Sequence, residues 1–175
     1  MLVSIHSHQT AGDSKETVPE FLSGLARRFI DAGAHAIIGH GPHLLRRIEI
    51  YKGLPIFYSL GDFILHLENC SAVPYDYYTK FGHTPDEGLY EVFRSRTRDF
   101  TVGLQRQKVM TEAVIPFFEI NDGKLEFLEL MPVELGYGMP HSRFGWPRPA
   151  ADLSIIERLA EMSGLEIDKN CKVLI

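Results

Sequence analysis

One short segment, Gly39-His40-Gly41-Pro42-His43 after the apolar run Ala34 to Ile38, constrains this chain more than any other. Two glycines and a proline break regular structure, so a buried strand must end there in an irregular loop carrying two imidazoles. The glycines let the backbone turn until both rings can point at one spot, and neutral imidazole is a common ligand for zinc, iron or manganese. A second pair, His6 and His8, follows the β-prone run Leu2 to Ile5. Open α/β sheets place ligand sites at the carboxyl ends of their strands. Two histidine pairs at two strand ends therefore point to a metal site, against the plainer reading of exposed polar loops. His35, His66, His83 and His141 carry no such spacing and read as surface or core.

At Ser59-Leu60-Gly61-Asp62-Phe63 a strand ends in a glycine turn with one carboxylate. Asp62 is suited to orienting a ligand histidine through its free ring nitrogen, or, as a turn residue, to bonding its own backbone. Asp13 and Glu49 are the other acidic residues nearest the clusters. Arg46 and Arg47 lie just after the histidine loop, and a planar guanidinium matches phosphate or carboxylate, so both are candidates for binding an anionic substrate. Arg27 and Arg28 fall on the polar side of a helix and read as solvated.

That helix is expected over Thr17 to Ala32, with Phe21, Leu22, Leu25, Ala26, Phe29 and Ile30 as one apolar stripe, Pro19 in its first turn and Gly33 at its end. Ile48 to Tyr51 and Ile56 to Leu60 read as a hairpin around Lys52-Gly53. Thr84 and Glu87 have capping-box spacing and predict a helix over 85–97. Val109 to Ile120 and Lys124 to Leu135 form a second hairpin, since Asn121-Asp122-Gly123 tolerates the positive φ of a tight turn. Asp152 is placed to cap a last helix that Gly164 ends, before a short strand toward Ile175. The Pro-rich stretch from Met139 to Ala151 suits a linker or an ordered wrapping loop.

With 175 residues, 45% hydrophobic and 23% charged, the chain is one domain's worth of globular protein. A net charge of −5 and the absence of basic runs exclude a nucleic-acid binder, which needs a cationic stripe to displace counterions. No apolar run approaches the length of a membrane-spanning helix, and the first residues do not read as a secretory signal. Cys70 and Cys171 are too few and too far apart for a disulfide framework, and read as free thiols. A chain that opens directly in a buried-looking strand reads as part of something larger.

The stretch Asp31 to His43, continued by Ile48-Glu49-Ile50-Tyr51-Lys52-Gly53 and Ile56 to Ile64, closely resembles the CapA family of bacterial capsule and poly-γ-glutamate synthesis proteins. Val3 to His8 looks like that family's strand ending in histidine, and Leu130 to Leu135 like its late strand. The family is similar in fold to calcineurin-like metallophosphoesterases. The resemblance therefore implies an α/β fold, part of an α/β/β/α sandwich with its N-terminal strands missing, residues 1–175 being a single domain and the C-terminal portion of a longer one. It implies His6, His40 and His43 as ligands of a divalent transition metal (manganese, zinc or iron); in a hydrolase built on them, His8 or Asp62 is the expected proton-transfer or orienting group. Asp62 stands where the family usually has Asn, and Gln9 near where an acidic residue is common. The family's aspartate after an initial strand, its Asn-Leu-Glu and its Asn-Asn-His segments have no counterpart, which implies that this chain alone is inactive.

Two functions are expected from different classes. The first is a metal-dependent, phosphoesterase-like hydrolase in full-length form, acting on an anionic polymer or phosphoester; an amide bond is also open to it. The second is a non-catalytic polymer-binding component of a capsule-synthesis membrane complex, in which Arg46 and Arg47 matter more. A third reading is a folding remnant. Family context implies the cell envelope, and missing strands imply exposed sheet edges and a homo-oligomer.

Overall fold

The computed structural model describes residues 1–66 and 70–175, with the side chain of His141 outside the described set. A first sheet contains β1 (Leu2–His6), β2 (Ala36–His40), β3 (Leu45–Tyr51) and β4 (Leu54–Leu60), in spatial order β1-β2-β4-β3. β1, β2 and β4 run parallel, and β3 is the antiparallel partner of β4 through the Lys52-Gly53 turn. The carboxyl ends of β1, β2 and β4 thus lie side by side, and His6 pairs in register with His40.

Strand alternation divides the side chains of this sheet between two faces. Val3, Ile5, Ile37, Leu54, Ile56 and Tyr58 pack against α1 (Glu20–Asp31). Only one row of the expected helical stripe is buried: Leu22, Ala26 and Ile30 face the sheet, whereas Phe21 is 56% exposed and Leu25 39%. Pro19 is the N-cap rather than a first-turn residue, and the helix ends at Ala32-Gly33 as expected.

The opposite face carries Leu45, Ile48 and Phe57, packed against a second sheet and a helix. That sheet is β5 (Glu112–Asn121), β6 (Lys124–Glu134) and the two-residue β7 (Arg148–Pro149), and the 121–123 turn forms as expected, with Asp122 at φ +48° and Gly123 at φ +75°. β7 makes the Pro-rich stretch an ordered strap rather than a linker. The helix, α4 (Ser154–Ser163), contributes Ile155, Ile156 and Leu159 and ends at Gly164 in the left-handed conformation. Its N-cap is Leu153; the Asp152 carboxylate still accepts the Ser154 N–H at 2.9 Å.

Three local expectations are corrected. α2 (Tyr75–Lys80) forms before Thr84, in a stretch whose Tyr and Pro content predicts a loop. The capping box of Thr84 and Glu87 closes, but it opens only a short 3-10 turn, because Gly88 at φ +82° separates it from α3 (Leu89–Arg96). Past α4 the chain makes only the isolated bridges Ile167–Val173 and Glu129–Lys172 instead of a strand. Cys70 and Cys171 are free. Among the described residues, no helix is long and apolar enough to cross a membrane.

Candidate functional site

The alternation that sends Val3 and Ile5 toward α1 turns Ser4 and His6 to the other face, with His40 from β2 beside them. Beyond β1 the chain stays close to β2, where the Ser7 N–H donates to the His40 carbonyl at 2.9 Å. Gly41, at φ +122°, permits this approach: a Cβ there would lie 2.9 Å from the Ser7 carbonyl oxygen. Gly39 is under a similar constraint, because its Cβ would strike the Tyr58 carbonyl of β4.

Four imidazoles from the two loops lie in one row. His6 Nδ1 sits 2.9 Å from His40 Nδ1, and His6 Nε2 sits 2.9 Å from His8 Nε2. The His8 and His43 ring centroids are 5.6 Å apart. At the near end, Ser4 Oγ lies 2.9 Å from His40 Nε2; at the far end, His43 Nδ1 lies 2.9 Å from Asp62 Oδ2. Each ring-to-ring contact needs one N–H and one bare nitrogen. A run in which His40, His6 and His8 are all neutral satisfies both contacts, and Ser4 can donate or accept at its end.

The electrostatics favour that state at His8 and oppose it at His43. Burial, then the charges of His6, His43 and Arg46, push the His8 pKa down. The hydrogen bond from His43 to Asp62 pushes the His43 pKa up, against its partial burial. Asp62 is thus the partner of His43 rather than of its own turn. Gly61 places it, bending at φ +79° where β4 passes so close to β5 that a Cβ would strike the Glu112 carbonyl.

The two arginines depart from the expectation of an open anion site. Arg46 is fully buried on the histidine face, where Nε donates to the Lys15 carbonyl at 2.8 Å and Nη2 to the Gln9 carbonyl at 2.7 Å. It braces the loop that follows His8, and its Nη1 has no hydrogen-bond partner. Arg47 points to the helix face, stacked 4.6 Å over the Tyr58 ring and bonded to Glu49 and Ser23. Alternation along β3 separates these neighbours onto opposite faces. Glu49 faces α1 as well, held by Arg27, Arg47 and Tyr58, and so lies away from the histidines. Asp13 is exposed in the loop after β1. Ser4, which sequence reasoning passed over, was accessible through the two-residue period it shares with His6 and His8.

The donor set fits a divalent transition metal in kind: imidazole nitrogens, with His43 backed by the Asp62 carboxylate. As they stand, however, the rings face one another in pairs, and among the described residues no three His, Cys, Asp or Glu side chains are already arranged around one point.

The comparisons place the same segment in a known context. Residues 1–67 match the family described as bacterial capsule synthesis protein PGA_cap. An uncharacterized Sinorhizobium fredii protein, y4sH, is 38% identical over 168 residues, covering 90% of this chain and 36% of that protein. The PGA biosynthesis protein CapA of Bacillus subtilis is 60% identical over 40 residues, which is 23% of this chain and 10% of that protein. The capsule biosynthesis protein CapA of Bacillus anthracis is 52% identical over 40 residues, with the same coverage. This chain thus spans about 36% of the length of the Sinorhizobium fredii protein. The family resemblance drawn from the glycine-histidine loop is borne out by these matches.

Proposed function

Starting from a CapA-like region at residues 1–67, we propose that this chain is the histidine-bearing part of a metal-dependent, phosphoesterase-like hydrolase serving capsule or poly-glutamate synthesis. Its two facing sheets, with α1 outside the first, are read as the C-terminal portion of a metallophosphoesterase-like sandwich. The observation that carries the reading is the row of four imidazoles, two from each of two adjacent strand ends, with nitrogen rather than carboxylate facing nitrogen along it.

His6, His40 and His43 are the residues that would hold a manganese, zinc or iron ion. Such an ion supplies a water of lowered pKa and polarises a phosphoryl or acyl oxygen. Asp62 fixes the His43 ring by taking its Nδ1 side, which leaves Nε2 as the ring nitrogen to hold a metal. Ser4 holds the outer nitrogen of His40. His8, biased toward its neutral form, can accept a proton beside the ligands. The alternative of a polymer-binding component that grips polyanion through Arg46 and Arg47 is disfavoured, since Arg46 is fully buried and the Arg47 guanidinium, though partly exposed, is held by Glu49 and Ser23 on the α1 face.

Metal content after manganese or zinc loading tests the proposal. Near-stoichiometric metal is expected in the unaltered chain and trace metal in the His40→Ala, His43→Ala double variant. Equal, trace metal in both overturns it.

A further inference from the structure

A cavity of about 470 Å³ opens directly beside the histidine row. It lies where the first sheet meets β5, between Ile38 and Leu60 on one side and Val114 and Pro116 on the other, with Phe63 at the rim and His40 in its wall. No Asp, Glu, Lys or Arg is among its lining residues. Its volume falls within the roughly 300–1,000 Å³ usual for small-ligand sites. Gly61 keeps the wall thin, because β4 and β5 approach there more closely than a Cβ allows.

A polyanion gains nothing from such a lining, and neither Arg46, buried beneath the loop after His8, nor Arg47, on the α1 face, is part of it. We infer that the cleft receives the aliphatic arm of an amphiphilic substrate whose anionic, hydrolysable head lies against the histidines. His40 belongs to both halves of this arrangement, ending the histidine row on one side and lining the apolar cleft on the other. The inference rests on the proposed hydrolase site and names the substrate class of that site. Specificity then follows chain length rather than charge, because each methylene transferred from water to an apolar wall strengthens binding by roughly threefold to fourfold.

Titration of the manganese-loaded protein with n-butyl, n-hexyl and n-octyl phosphate, each below its micelle concentration, tests this. Affinity is expected to climb by about threefold to fourfold per methylene, and this increment, unlike the absolute affinity of the anionic head, is expected to be insensitive to added salt. Phe63→Asp, at a position already 56% exposed and so dispensable for folding, should flatten the climb, whereas Phe63→Leu should keep it. Equal affinity for the three phosphates, or a climb that survives Phe63→Asp, overturns the inference. If butyl phosphate then still binds and His40→Ala abolishes that binding, the hydrolase reading stands without the cleft. Failure of all three phosphates to bind, with no effect of His40→Ala on metal content, removes both.

Discussion

The two faces of the first sheet use the same kinds of polar side chain to opposite ends. On the α1 face, Glu49 is surrounded by Arg27, Arg47 and Tyr58, so that each charge there has a partner. Burial pushes the Glu49 carboxyl up, but the bonds from Arg27 and Tyr58 and the charge of Arg47 outweigh it and hold its pKa below the usual carboxylate range. On the other face, the rings of His6, His8 and His40 meet imidazoles and a hydroxyl, and among the described residues no carboxylate hydrogen-bonds to them, whereas His43 is bonded to Asp62. Groups fully paired with opposite charge hold elements together. A row of imidazoles at strand ends, nitrogen facing nitrogen, is suited to binding.

If that division is right, damage to the two faces separates into different measurements. The largest effect belongs to a residue both faces need: Gly39→Ala forces a Cβ into the β4 backbone and should cost about 3 kcal/mol or more in urea denaturation. Glu49→Ala leaves Arg47 and Tyr58 without their acceptor and should cost about 2 kcal/mol, with metal content unchanged. A Glu49→Ala protein that also loses metal breaks the comparison. Asp62→Asn should do the reverse, lowering metal affinity about tenfold while changing stability at neutral pH by less than about 1 kcal/mol.

The smallest effect is in pH. His43 binds its proton more tightly folded than unfolded, so its pair with Asp62 stabilises the fold below the ordinary imidazole pKa of about 6.5 and ceases to do so as pH rises through the elevated folded value. His8 is shifted down, so it costs stability only as pH falls below that ordinary value. Ring resonances should therefore titrate at higher pH for His43 than for His8, and Asp62→Asn should bring the two closer together. The opposite order contradicts the assigned partners.

Much of this contrast could be read from local sequence, and the unread part is non-local. Turn chemistry at Asp122-Gly123 and at Gly39-His40-Gly41 is set by the residues themselves, so both were legible. The joining of His6 to His40 depends on parallel pairing between residues 34 apart; it was expected only from their shared position at strand ends. Arg46 and Arg47 looked equivalent because adjacency hides alternation: one lies beneath the loop after His8, the other against Tyr58. The helix expected over 85–97 failed at Gly88, where a positive φ overrode a valid capping box. The two-residue period puts Ser4 on the face of His6 and His8, but its contact with His40 depends on the pairing of β1 with β2.

The most direct test follows all the imidazole resonances during zinc titration of the unaltered chain. His35, beside the N-terminus, and His83, held by Glu87 and Ser95, serve as internal controls on other parts of the surface. The account predicts that His6, His40 and His43 shift together and saturate near one equivalent while His35 and His83 stay in place. Equal shifts at all of them, or none at the row, would contradict it.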